Sequence, residues 1–346
     1  MTNRRKMQRL WGPLGIALGV LGAAGGCGTG GSDSGAVGQN LSPADSLLAA
    51  IEARILANPN DPAVYLERAE WQMAQGKPAR AMEDLDLSLR ADSTFAPAWE
   101  LKSQLFYESS NFEACIAALD DCIRLAPNST ACLERRAEMA IHLKQYEQAF
   151  GYLNAALKIN DQLHECYWMK GRIYEETGAD EKALSSYQTA VEVKPDFYEG
   201  FVSLGLFCAQ QKNPLAEEYY RSALELKPRF VEARYNLAMY LQESGQYPEA
   251  LQAYKEILDI DPNNASAAFN QGFIFLEYLQ TYDSAAHWFS EAIRLLPHYY
   301  QAHYNRGLAH ESMGRKNEAL QDYNEALRYE PTFTAAALAK SRVLGE

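Results

Sequence analysis

The 346-residue chain is acidic: 45 Asp and Glu stand against 32 Lys and Arg, for a net charge of −13. Removing the first 26 residues, which hold four basic residues and no acid, deepens this to −17. A body of that sign argues against nucleic acid and anionic lipid as partners and favours basic or zwitterionic ones.

In chain order, the first feature is a basic start (Arg4, Arg5, Lys6, Arg9), then an apolar run from Leu10 to Ala24, then Ala24-Gly25-Gly26-Cys27. This is the pattern of a secretory signal over residues 1–26. The run is shorter than the roughly 20 residues that span a bilayer. Cys27 after small residues resembles the lipobox of bacterial lipoproteins, with Ala24 where that motif usually has Leu. The resemblance implies that Cys27 is lipidated and becomes the new N-terminus. The alternative is ordinary cleavage that leaves a free thiol. Residues 27–43 are rich in Gly and Ser, which predicts a flexible tether reaching about 20 Å. Gly28, rather than Asp, follows the cysteine. By the sorting rule of enterobacterial lipoproteins that implies an exported protein held by its lipid at the outer membrane, with the leaflet open.

Residues 44–61 follow, with Leu47, Leu48, Ile51 and Ile55 on one helical face, and are expected to form an N-terminal capping helix. From residue 62 to 333 one unit repeats eight times: 62–95, 96–129, 130–163, 164–197, 198–230, 231–264, 265–299 and 300–333. Its tracer is a small residue, at Ala69, Ser103, Ala137, Gly171, Gly205, Ala238, Gly272 and Gly307. A second small series begins with Ala81 and Cys115, and a third with Ser88 and Cys122. Four residues after the second series come large ones: Leu85, Leu119, Leu153, Tyr187, Tyr220, Tyr254, Phe289 and Tyr323. The step from the first to the second series is eleven residues at Gly205 to Ala216 and thirteen at Gly272 to Ala285, against twelve elsewhere. Apolar residues fall at helical spacing in two blocks per unit, split by turns such as Gln75-Gly76-Lys77. Each unit therefore reads as a helical hairpin whose small residues mark the helix crossings. Six units end in proline (Pro127, Pro195, Pro228, Pro262, Pro297, Pro331), which cannot continue the second helix.

These small, large and proline positions resemble the tetratricopeptide repeat family across about four fifths of the chain. The departures are Ser93 and Asp161 in place of the terminal proline and Ile257 at one small position. The resemblance implies an all-α, right-handed superhelical solenoid of about eight hairpins, one continuous array with capping helices, the last over residues 334–346. It also implies an inner wall built from each unit's first helix. The residues three and two before the first small series, and the one after it, should face that wall. In units six to eight they are Tyr235, Asn236 and Met239; Phe269, Asn270 and Phe273; and Tyr304, Asn305 and Leu308.

The asparagine row resembles the ladder in the repeat domain of O-linked N-acetylglucosamine transferase, where amides grip the backbone of an extended peptide. A carboxamide offers both donor and acceptor, which suits a peptide group of any sequence. The bland alternative is that these amides bond within the solenoid. Unit 4 offers Trp168, Met169 and Arg172 as a transition, and early units carry Glu100, Glu134 and Glu138. The expected ligand is a protein or extended peptide with an apolar and a basic stretch.

Cys115 and Cys122 occupy small crossing positions, so buried, alanine-like packing is expected, although export permits disulfides and hairpin order brings Cys122 closest to Cys132. His303 and His310 fall at interior positions and are expected to pack in the core. No spacing suggests zinc, no cofactor is implied, and no nucleophile elbow, phosphate loop, dinucleotide fingerprint or zinc-protease motif is present. The leading expectation is a membrane-anchored, non-enzymatic scaffold in cell-envelope assembly or maintenance. A self-associating array of unknown oligomeric state, or a pilotin-like lipoprotein for pilus and secretin assembly, are the alternatives.

Overall fold

The structure, a computed structural model, describes residues 43–345, so Cys27, the signal and nearly all of the tether lie outside the described residues. Among the described residues there are eighteen α-helices and no strand. Helix α1 spans Pro43–Ala57. Eight hairpins follow: α2 (Pro62–Ala74) with α3 (Pro78–Ala91), α4 (Ala96–Glu108) with α5 (Phe112–Leu125), α6 (Thr130–His142) with α7 (Tyr146–Ile159), and α8 (His164–Glu176) with α9 (Asp180–Val193). Then come α10 (Tyr198–Gln210) with α11 (Leu215–Leu226), α12 (Val231–Glu243) with α13 (Tyr247–Ile260), α14 (Ala265–Phe273) with α15 (Tyr282–Leu295), and α16 (Tyr300–Ser312) with α17 (Lys316–Tyr329). Helix α18 (Thr334–Leu344) is a lone first helix.

From residue 48 onward the hairpins stack in chain order as an α-helical solenoid. First helices of successive units touch at α2–α4, α4–α6, α6–α8 and α10–α12, and successive second helices pack less closely. The first helices therefore make the tighter, inner wall. Inside each hairpin the large residue four after the second small series is fully buried, from Leu85 to Tyr323. In units 4, 5, 7 and 8 it is aromatic and its ring lies on the facing glycine: a Cβ on Gly171, Gly205, Gly272 or Gly307 would come within 2.5 to 2.9 Å of the ring of Tyr187, Tyr220, Phe289 or Tyr323.

Every hairpin turn holds one residue in the left-handed conformation, at Gly76, Ser110, Lys144, Gly178, Lys212, Gly245, Gln280 and Gly314. The next residue's N–H donates back to a carbonyl five residues earlier, for example Asn111 to Phe106 at 2.8 Å, satisfying an orphan acceptor of the first helix. Unit 7 bonds six residues back, Thr281 to Phe275, because its first helix ends in a π-helical turn, Ile274–Tyr278. That turn absorbs the extra residue between Gly272 and Ala285. The missing residue of unit 5 shortens α11, where the Asn213 side chain accepts from the Leu215 N–H at 3.1 Å.

A second register crosses the seams between second helices. The residue just before the small position is basic in units 1 to 4 and 8, and its partners stand sixteen residues before or after it. Arg68 pairs with Asp84, Lys102 with Asp86, Arg136 with Asp120, and Lys170 donates to Asn154. Arg306 forks onto Asp322 and also donates to Ser290 Oγ at 3.0 Å.

Three expectations need correction. Cys122 is buried but joined to Cys132 by a disulfide, Cα to Cα 6.3 Å, because the proline turn between α5 and α6 brings their ends together. Leu47 is 49% exposed; only Ile51 of α1 is sealed, since a helix with one neighbour cannot bury a whole stripe. Helix α18 buries Ala336 and Ala339 but leaves Leu338 and Leu344 exposed, so its outer face is not a polar cover.

Candidate functional site

The site residues expected in unit 4 and units 6 to 8 all lie on first helices, and all are half-buried except Met169 and Asn305, which are 5% and 9% exposed. Their polar atoms knit neighbouring units together. Trp168 Nε1 donates to Ser203 Oγ at 2.8 Å, and Asn270 Nδ2 donates to the Tyr235 hydroxyl at 2.9 Å. Both bonds make the same link, from three before one small residue to two before the next. Asn270 Nδ2 also lies 3.7 Å from the Met239 sulfur. Asn305 turns inward and donates to the Gln301 carbonyl at 2.8 Å. Asn236 makes no side-chain hydrogen bond among the described residues. The three amides are thus not equivalent: Asn236 keeps donor and acceptor, Asn270 keeps its carbonyl, and Asn305 is nearly sealed.

The apolar members form a path of rings. Phe273 stacks with Phe269 at 6.4 Å, and Phe269 stacks on Tyr299 at 4.9 Å. At the other end Phe273 meets Tyr278 edge-on at 6.0 Å, and Tyr278 stacks on Tyr247 at 4.5 Å. Tyr304 packs against Phe333 at 5.1 Å, and Leu308 lies over the buried cluster around Phe289. Trp168 stands apart in unit 4, with the Arg172 guanidinium 5.0 Å above its ring and Phe197 at its edge.

Two kinds of residue escaped the sequence reading. Phe197, Phe230, Tyr299 and Phe333 each precede a first helix and pack on the first helix of the unit before. Their signal was present: each stands two residues after Pro195, Pro228, Pro297 or Pro331. Tyr278 is brought to the ring path by the π-helical turn, for which the thirteen-residue step was the available hint.

Toward the N-terminus the wall changes sign. Glu134 is half-buried, and burial, then the carboxylates of Glu165 and Glu100, push its carboxyl up to about 7. Burial likewise raises Glu100, which accepts from Ser129 Oγ at 3.2 Å. Glu138 is held below the ordinary range chiefly by the His142 ring, 3.9 Å away.

His303 and His310 do pack in the interior, but around a charge. His303 Nε2 bonds the Pro297 carbonyl at 3.0 Å, as the Tyr65 hydroxyl and Trp99 Nε1 bond the carbonyls of Pro59 and Ser93, likewise six residues earlier. The Nδ1 atoms of His303 and His310 face Asp322 at 3.8 and 3.2 Å. Burial pushes the Asp322 carboxyl up, yet the two histidines and the Arg306 fork outweigh it and hold the group low. Cys115, Cys166 and Cys208 are buried free thiols, with Cys166 pushed up to about 12 and Cys208 to about 11 by burial, which makes them unreactive. Among the described residues no group of three or more His, Cys, Asp or Glu converges to hold a metal ion.

Models described as tetratricopeptide repeat match residues 101–164 and 206–265, 164–197, and 300–333, together more than half of the chain. The chain belongs to the tetratricopeptide repeat family. It is 25% identical to the TPR repeat-containing protein YpiA of Bacillus subtilis over 237 residues, 66% of this chain and 55% of that protein. It is 24% identical to human tetratricopeptide repeat protein 6 over 202 residues, 56% of this chain and 31% of that one. The chain thus spans between about a third and about half the length of these relatives. Among solved structures, the C-terminal part of a TPR repeat-containing protein from Cytophaga hutchinsonii aligns with a TM-score of 0.61 at 17% identity, over 69% of this chain and 98% of that one. That likeness is one of fold.

Proposed function

We propose that this tetratricopeptide repeat protein is an exported scaffold, lipid-anchored through Cys27 at the outer membrane, that recruits a partner in cell-envelope assembly or maintenance by holding an extended segment of it on the first-helix wall. The observation that carries the reading is the ring path from Tyr247 to Tyr299 together with the uncommitted amide of Asn236 and the free carbonyl of Asn270 on the first helices of units 6 and 7. Rings supply side-chain affinity, and amides satisfy backbone groups whatever the sequence. The acidic wall at Glu100 and Glu134 suits a basic stretch of the same segment. Export is supported from within the body by the Cys122–Cys132 disulfide, since thiols in a reducing cytosol stay unpaired.

Photo-crosslinking in the native cell tests the groove. A reactive group at Phe273 should capture one dominant partner, and the same group at exposed Gln321 on α17 should not. Equal products from both positions, or none from Phe273, would remove the groove as the site. Metabolic labelling with an alkyne fatty acid tests the anchor: label should enter the chain and be lost in Cys27→Ser.

A further inference from the structure

Helix α18 follows unit 8 in the repeat's own register. Its small residue is Ser341, thirty-four residues after Gly307. Leu338 and Arg342 therefore hold the two wall positions, three before and one after the small residue, that belong to Phe269 and Phe273 in unit 7 and to Tyr304 and Leu308 in unit 8. The wall is continuous up to them. Tyr304 and Leu308 lie over a buried cluster that includes Ala339 of α18. Arg342 forks onto Glu311 of α16 at 2.8 and 2.7 Å, and the Tyr323 hydroxyl donates to the same carboxylate. A two-pronged, charge-assisted bond of this kind fixes the orientation of the helix that carries it.

The two leucines that α18 leaves exposed differ in kind. Leu344, 48% exposed, shares a face with Ala337 and Ser341, the face that a second helix covers in units 1 to 8. Leu338, 66% exposed, lies about 120° from Leu344 round the helix, on the side of Arg342. An open leucine at that position lengthens the apolar strip of units 6 to 8 by one step.

We propose that α18 is a ninth element of the recognition wall, and that the apolar stretch of the bound partner segment runs on past unit 8 to seat a side chain on Leu338. The proposal rests on the groove reading above and sets the far end of the segment that the groove holds. The occupant is the same segment because the strip is continuous and because charge divides the wall. Carboxylates crowd it at Glu100 and Glu134, whereas at α18 Glu311 is already engaged by Arg342. A basic stretch gains at the first end and not at the second, which leaves Leu338 to the apolar stretch. A second copy of this chain stacked on the end of the array would instead cover Ala337, Ser341 and Leu344. Packed helices stand about 10 Å apart and an extended chain rises about 3.3 Å per residue, so the segment advances about three residues per unit.

The test places a photo-reactive group at Phe273, Leu338 or Leu344 of the full-length protein in the native cell and locates the joined partner residue by mass spectrometry. Phe273 and Leu338 should mark one apolar stretch of one partner, at residues about six apart, because two units separate the probes. Leu344 should not mark that stretch. A synthetic peptide spanning both marked residues, titrated by fluorescence anisotropy, should bind Leu338→Gln about tenfold more weakly than the unaltered protein, and Leu344→Gln equally well. Both leucines are exposed, so neither change disturbs the core. A stretch marked from Phe273 but not from Leu338, a second copy of this chain captured at Leu338, or undiminished binding by Leu338→Gln would overturn the proposal and leave the groove standing. No product from Phe273 would remove the groove and the proposal together.

Discussion

Units 1 to 3 seat leucines 85, 119 and 153 against Ala69, Ser103 and Ala137, whereas units 4, 5, 7 and 8 seat an aromatic ring against glycine. The hairpins that result are alike. In these seven units the crossing trades one volume for another: the ring occupies the space of the Cβ that alanine or serine fills. The two regions differ in their inner walls as well. The leucine region presents crowded carboxylates and is stapled by the Cys122–Cys132 disulfide, and the aromatic region presents the ring path. Unit 6 is the exception, seating the Tyr254 ring against Ala238 with both fully buried.

The sharpest way to break this comparison is Gly205→Ala, whose new Cβ would lie 2.5 Å from the Tyr220 ring. Urea unfolding should show a loss of about 2–3 kcal/mol. Adding Tyr220→Leu, which converts unit 5 to the pairing of units 1 to 3, should recover most of that loss. If it does not, volume complementarity is not what the two solutions share. Ala69→Gly should cost less, about 1 kcal/mol, chiefly through helix propensity.

Next in size is the staple. Reducing Cys122–Cys132, which closes a short loop, should cost about 2–3 kcal/mol. Hydrogen exchange should place the loosening in units 2 and 3 and leave units 6 to 8 protected; uniform loosening would show that the array responds as one body.

The carboxylates give a smaller, pH-dependent effect. The Glu134 carboxyl titrates near 7 when folded against 4.5 as its ordinary value. The folded state therefore holds that proton more tightly, and the stability linked to it is full below 4.5 and lost as pH rises through 7. Glu134→Gln should raise stability at pH 8 by about 1 kcal/mol, discounted because the group is only half-buried. At pH 4 it should change little, and an equal gain at both pH values would point to packing instead of charge.

The smallest effect concerns the turns. Ser110 and Lys144 adopt the left-handed conformation that glycine supplies in units 1, 4, 6 and 8. Replacing either with Gly should stabilise by about 0.5 kcal/mol, the left-handed penalty less the added freedom of the unfolded chain. Thermal melts of the two single variants and the double one check both the sign and the additivity.

Much of the fold was legible because a repeat states each rule eight times. The small and large series announced the hairpins, and even the two irregular steps marked where the short α11 and the π-helical turn occur. The candidate site was legible as a set of positions but not as chemistry. The asparagines at 236, 270 and 305 read as equivalent, yet the wall leaves one free, ties one to Tyr235 and buries one against Gln301. Cys122 read as packing because a disulfide depends on a distance between chain ends that spacing alone does not state.

The sequence by itself determined the helices, their pairing and the face each residue would occupy, since these follow from local periodicity and from side-chain volume. Tertiary structure alone decided which polar atoms are already satisfied, which carboxylates crowd one another, and which cysteines are joined. Those depend on distances between units, and a hydrogen bond or a cavity is a property of two neighbours that no single stretch of chain carries.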